Sequence, residues 1–209
     1  MKGYIFDLDG VIVDTAKYHF LSWKKIGAEY DFELTHELNE QLKGVSRVES
    51  LKKILHWANV SVSPEKFEEL ATRKNTDYLS YVEKMNENDI LEGVKSFMEK
   101  AKKENVKIAL GSASKNARLI LEKIGIISYF DAIVDGNDVS KAKPDPEVFL
   151  LAAKKLGVPN ENCVVFEDSE AGIQAAKTAG MQAIGIGCPE VLQQADKVFP
   201  DFIQINKFF

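Results

Sequence analysis

The hydrophobic pattern changes rhythm twice along the chain. It opens with an apolar run of strand length, Tyr4-Ile5-Phe6, that stops at Asp7 and Asp9. From Thr15 to about Asn86 apolar residues recur at helical spacing, in "TAKYHFLSWKKIGAEY", "SRVESLKKILHWA" and "SPEKFEELATRKNTDYLSYVEKM". Ser46 followed three residues later by Glu49 predicts a capping box. Ser63 and Pro64 predict an N-cap and a first helical residue. No strand is predicted in this block. From about Gly93 the rhythm alternates. A helix over Val94–Lys103 precedes the apolar run "VKIALG", and a helix from about Asn116 to Ile124 ends at Gly125. The short run "AIV" follows, then a helix begun by Asp145 and Pro146 and ended at Gly157. "CVVF", a helix over Ser169–Ala179 and "QAIGIG" complete the pattern.

Alternating strands and helices with continuously apolar strands predict an α/β fold with a Rossmann-like parallel-sheet core. The helical block interrupts that core after its first strand. The expected division is residues 1–14 and 88–209 as the α/β core, with an inserted all-helical cap over 15–87. Two chain crossings, near Asp14-Thr15 and near Asn86 to Gly93, would then let the cap hinge.

Composition adds exclusions. The net charge of -5 argues against a nucleic-acid backbone binder. Cys163 and Cys188 stand far apart, in no metal-ligand spacing, so no zinc site or disulfide framework is expected. Met1-Lys2-Gly3 leads directly into the first strand, and no apolar stretch approaches the ~20 residues of a membrane span. The expectation is a cytoplasmic protein without membrane or nucleic-acid partners.

The chemistry gathers after three strands. Asp7 and Asp9 follow the first, Ser112 the second, and Glu167 and Asp168 lie at the end of "CVVF". In a parallel sheet these strand ends share one edge, where ligands bind. Lys143, in "KAKPDPE", lies in a loop able to reach that edge. Several carboxylates in one place need a compensating cation, and an oxygen-only donor set favours Mg²⁺ over zinc. An EF-hand is excluded, because Val11 and Tyr18 stand where ligands would be needed. A carboxylate beside Mg²⁺ and a lysine suits attack on phosphorus, giving an aspartyl-phosphate. On an extended strand residues i and i+2 point the same way, roughly 6.6 Å apart. One aspartate could then bond to phosphorus while the other handles a proton.

"DLDGVIVDT", "SAS", the lysine of "KAKPDP" and "EDSEAGIQAA" together resemble the four motifs of the haloacid dehalogenase superfamily, in order and spacing. The helical block is similar to the cap of its sugar-phosphate mutases rather than to a generic sugar phosphatase, through "YHFLSWK", "NEQLKGVSR", "SLKKIL" and "ATRKN". That resemblance implies an isomerase that interconverts β-glucose 1-phosphate and glucose 6-phosphate. It would work through an aspartyl-phosphate, with β-glucose 1,6-bisphosphate as intermediate and priming donor. It implies Asp7 as nucleophile and Asp9 as general acid/base. Asp7, the Asp9 carbonyl, Glu167 and Asp168 would hold Mg²⁺, and Ser112 and Lys143 the transferring phosphoryl oxygens. Gly44, Val45, Ser46 and Arg47 would form a specificity loop, with Arg47 on the distal phosphate. His19, Trp23, Ser50 and Lys74 would border the sugar, Ser114, Lys115 and Asn116 would contact phosphate or sugar, and Thr15 would mark the hinge. A monomer acting on small sugar phosphates is implied. Taken alone, His19 and Trp23 are also i and i+4 on one helical face, equally suited to core packing.

Overall fold

The computed structural model describes residues 1–42 and 45–209. Strand β1 (Gly3–Phe6) leads into α1 (Ala16–Ala28), α2 (His36–Glu40), α3 (Arg47–Trp57) and α4 (Pro64–Val82). Then come α5 (Val94–Lys103), β2 (Lys107–Gly111), α6 (Ala117–Lys123), β3 (Ala132–Val134) and α7 (Glu147–Leu156). The chain ends with β4 (Cys163–Glu167), α8 (Glu170–Thr178), β5 (Gln182–Ile186), β6 (Lys197–Phe199) and α9 (Phe202–Phe208). The six strands form one parallel sheet in the order β3-β2-β1-β4-β5-β6.

Register explains where the polar residues end up. Phe6 stands opposite both Leu110 and Phe166. The residues that follow, Asp7, Gly111-Ser112 and Glu167, therefore emerge together at one edge. Asp7 N donates to Phe166 O at 3.0 Å, which carries the β1–β4 ladder one residue past the strand. Side chains alternate between the two faces. Tyr4, Phe6, Leu110 and Phe166 pack with Phe97 of α5, Ile120 of α6 and Phe202 of α9. Ile5, Ala109 and Val165 pack with Phe149 of α7 and Ile173 of α8. Burial on both faces is why these strands read as continuous apolar runs. Each such large side chain contributes about 1.5–3 kcal/mol.

The helical block has its own apolar cluster, in which Trp23 and Ile26 meet Leu51, Ile54 and Leu70. The two crossings between block and sheet lie side by side. Val13 bridges Ile90 in antiparallel fashion, and Leu91 N donates to Ile12 O at 2.8 Å. Ser46 caps α3 by accepting from Glu49 N, but the Glu49 carboxylate takes Lys52 instead of returning to the cap, so half of the expected capping box forms. Ser63 and Pro64 begin α4 as the sequence predicts.

Three elements escape the hydrophobic pattern. α2 and β6 are too short to show a period, and α9 lies in the aromatic tail. Phe209 packs edge-on against Tyr4, Phe97 and Phe166, whereas Phe208 is more than half exposed. Cys163 is a buried strand residue whose thiol burial pushes up to about 11. Among the described residues no helix is long and apolar enough to cross a membrane.

Candidate active site

The turn after β1 places Asp7 at the centre of the strand-end edge. Lys143 Nζ donates to Asp7 Oδ1 at 2.6 Å and to Glu167 Oε2 at 2.8 Å, and all three side chains are buried. The other Glu167 oxygen accepts from Ser169 N at 3.1 Å and Ser169 Oγ at 2.6 Å. Ser169 Oγ in turn accepts from Gly172 N, capping α8. A local helix start thus fixes the rotamer of a buried acid.

Two glycines make room for these carboxylates. Gly10 has φ +79°, and a Cβ there would collide with the Asp168 carboxylate. A Cβ on Gly172 would collide with Glu167. Asp7, Glu167 and Asp168 each offer an oxygen within 4.8 Å of the others.

The charges do not balance on their own. Burial pushes the Asp7 carboxyl up to about 8 against the pull of Lys143, and Glu167 and Asp9 add to the rise. Burial also pushes Asp9 up to about 6, partly offset by Lys74 and Lys143. Burial alone would lower Lys143, but Asp7 and Glu167 hold it above its usual value as a stable cation. One lysine therefore serves several buried acids. Asp9 Oδ1 is buried without a hydrogen-bond partner among the described residues. Excess buried carboxylate and an oxygen-only donor set fit a hard divalent cation. Such an ion would be held by Asp7, Glu167 and Asp168.

Above this edge lies a cavity of about 480 Å³ between the sheet and the helical block, within the usual range of ligand pockets. Asp7, Asp9, Ser112 and Asp168 face it from the sheet side, with Ser114, Lys115 and Asn116 from the loop after β2. His19, Trp23, Val45, Ser46, Arg47, Ser50 and Lys74 line it from the helical side. Lys143 and Glu167 lie beneath the cavity surface rather than on it. Thr15 is fully buried at the start of α1 and does not line the cavity. Gly44 lies outside the described residues.

His19 and Trp23 serve both packing and the cavity. Trp23 is 3% exposed within the helical cluster. His19 stacks on Tyr78 with ring centres 4.1 Å apart. Lys74 Nζ is 2.6 Å from His19 Nδ1 and sits over the Trp23 and Tyr78 rings at 4.7 and 4.8 Å. Burial lowers Lys74 to about 7; Asp9 pulls it back and Arg47 lowers it further. Burial, Lys74 and Arg47 together hold His19 well below the usual imidazole range.

Several lining residues escape the sequence reading, Gly136 and Asn75 among them. Gly136, after β3, donates its N–H to Ser114 O at 3.2 Å, and a Cβ there would strike Ala113 O. Asn75, on α4, accepts a hydrogen bond from Asn116 Nδ2 at 2.9 Å. The signal for Asn75 was its place beside Lys74 in "RKN"; Gly136 has no motif of its own.

The chain is similar to known proteins over nearly its whole length. β-Phosphoglucomutase of Bacillus subtilis is 46% identical over 95% of this chain and 88% of its own. The crystal structure of β-phosphoglucomutase from Clostridium difficile superposes with a TM-score of 0.95 at 42% identity, covering 98% of this chain and 93% of that one. A phosphorylated carbohydrates phosphatase of Thermotoga maritima is 33% identical over 88% of this chain and 84% of its own. Residues 4–186 match the model of the haloacid dehalogenase-like hydrolases, and it is to this family that the chain belongs.

Proposed function

We propose that the protein is a Mg²⁺-dependent β-phosphoglucomutase that interconverts β-D-glucose 1-phosphate and D-glucose 6-phosphate. The carrying observation is one cavity with two carboxylates, Asp7 and Asp9, on the sheet side and Arg47 and Lys74 on the helical side. A sugar with a phosphate at each end needs both. The near full-length likeness to β-phosphoglucomutases supports the choice.

In this reading Asp7 carries the phosphoryl group. A free sugar hydroxyl attacks phosphorus, its proton passes to Asp9, and the Asp7 carboxylate leaves with the bonding electron pair. The β-glucose 1,6-bisphosphate so formed turns over; the Asp7 carboxylate then bonds to the other phosphorus, the C1 oxygen leaves with the bonding pair and takes the proton back from Asp9, and glucose 6-phosphate departs. A trace of the same bisphosphate primes Asp7. Ser112 and Lys143 hold the transferring oxygens, Arg47 grips the distal phosphate, and Ser114, Lys115 and Asn116 contact phosphate or sugar. Val45, Ser46 and Ser50 shape the helical wall, with Gly44 in the same loop. Mg²⁺, held by Asp7, Glu167, Asp168 and the Asp9 carbonyl, would supply positive charge against the phosphoryl oxygens. Residues 15–87 act as a cap hinged at Thr15, and closure excludes water.

The likeness to the Thermotoga phosphatase favours one alternative, a sugar-phosphate phosphatase built on the same acids. Phosphorus NMR separates the two. Protein, Mg²⁺, β-glucose 1-phosphate and a trace of the bisphosphate are expected to give glucose 6-phosphate. Inorganic phosphate without glucose 6-phosphate would overturn the mutase reading.

A further inference from the structure

We propose that Asn75 is a positioning residue that latches the helical block onto the phosphate-contacting loop, and so sets how phospho-Asp7 divides between sugar and water. The inference rests on the mutase reading above.

Hydrogen bonds run stepwise from the sheet to α4. Ser114 N donates to Ser112 Oγ at 3.1 Å, and Asn116 N donates to Ser114 Oγ at 3.3 Å. Asn116 Nδ2 then donates to Asn75 Oδ1 of α4 at 2.9 Å, at the wall of the cavity that both residues line. The loop is also fixed from behind, where Gly136 N and Asn137 Nδ2 donate to the Ser114 and Lys115 carbonyls. A rigid loop gives α4 a fixed target.

The amide chemistry suits a latch. Asn116 Nδ2 carries two hydrogens. One goes to Asn75, which orients the amide plane. The second remains for a phosphoryl oxygen in the cavity that both residues line. Asn75 thus aims Asn116 without needing to touch substrate, and its bond forms only when the block is seated against the sheet.

Two nucleophiles compete for phospho-Asp7. In either case an oxygen–phosphorus bond forms, the Asp7 oxygen–phosphorus bond breaks with its electron pair returning to the carboxylate, and the proton of the attacking hydroxyl passes to Asp9. Sugar gives the bisphosphate and water gives inorganic phosphate. A seated block favours the sugar by aligning it and excluding water.

The test is a double-mutant cycle on Asn75→Leu and Asn116→Leu. Its readout is the ratio of glucose 6-phosphate to inorganic phosphate by phosphorus NMR, with Mg²⁺, β-glucose 1-phosphate and a trace of bisphosphate. Asn75→Leu is expected to lower the ratio roughly five- to tenfold, the scale of one hydrogen bond. Added to Asn116→Leu, it should change the ratio by less than about twofold, because the two act as a unit. Asn75→Ser, too short to reach, should match Asn75→Leu and covers the case in which leucine misfolds. An unchanged ratio in both Asn75 variants, or effects that multiply in the double variant, would overturn the latch. If the natural protein releases only phosphate, the mutase reading falls. The latch is then decided by whether the two substitutions still fail to multiply in kcat/KM for phosphate release.

Discussion

Lys143 and Asp7 are 136 residues apart in sequence, yet Nζ and Oδ1 meet at 2.6 Å in a buried site. The same ammonium serves Glu167 at 2.8 Å. Removing it leaves two buried acids without their cation. Lys143→Met is expected to cost about 3–5 kcal/mol of stability in the absence of divalent ions. Mg²⁺ should restore part of that loss by supplying the missing charge. Urea unfolding with Mg²⁺ and with a chelator checks both parts. A loss that Mg²⁺ leaves untouched would mean the ion does not sit among these carboxylates.

That pairing shows which parts of the molecule could be read from the chain. Continuous apolar runs announced the strands because both sheet faces are covered. The carboxylates announced themselves because each directly follows such a run. The Asn75–Asn116 contact could not be read. It joins α4 to a loop 41 residues away, and the helical spacing within α4 does not say which distant segment Asn75 will meet. The dual position of His19 and Trp23 was equally hidden. Helical spacing places both on one face, but only the fold shows that this face is at once core and cavity wall. Thr15 was legible as the point where the helices begin, and its complete burial away from the cavity was not.

Gly172 offers a sharper test of the metal site. A glycine-to-alanine change inside a helix normally stabilises by up to about 1 kcal/mol. Here the new methyl would meet the Glu167 carboxylate, which Lys143 and Ser169 hold on either side. Gly172→Ala is therefore expected to destabilise by roughly 1–3 kcal/mol and to weaken Mg²⁺ binding at least tenfold. Urea unfolding and calorimetric Mg²⁺ titration measure the two effects. A variant more stable than the natural protein, with Mg²⁺ binding intact, would refute the crowding argument.

Lys74 should leave a signature in the pH dependence of stability. Its amine titrates near 7 when folded and near its ordinary 10.5 when unfolded. Between those values the unfolded chain binds the extra proton, so stability rises with pH across the window. Below about 7 both states are protonated, and the full cost of burying the charge remains. Lys74→Met should therefore be more stable than the natural protein near pH 7, with the gap closing toward pH 10. Urea unfolding at several pH values reads this directly. A gap that widens as pH rises would reverse the assignment.

Arg47 separates recognition of the distal phosphate from chemistry at Asp7. It lines the cavity from the first turn of α3, and its charge is felt at both His19 and Lys74. Ser46 already caps that helix through Glu49 N, so the guanidinium is not needed to start it. A small acyl phosphate has a single phosphoryl group and nothing to place at the far end. Arg47→Ala is thus expected to lower mutase kcat/KM by roughly 10- to 100-fold, the scale of one charged hydrogen bond. Phosphorylation of Asp7 by acetyl phosphate should change by less than about threefold. Steady-state kinetics and quenched-flow trapping of the phospho-protein give the two numbers. Equal losses in both would mean that Arg47 acts at the reacting phosphoryl group, or on the whole cap, rather than at the distal one.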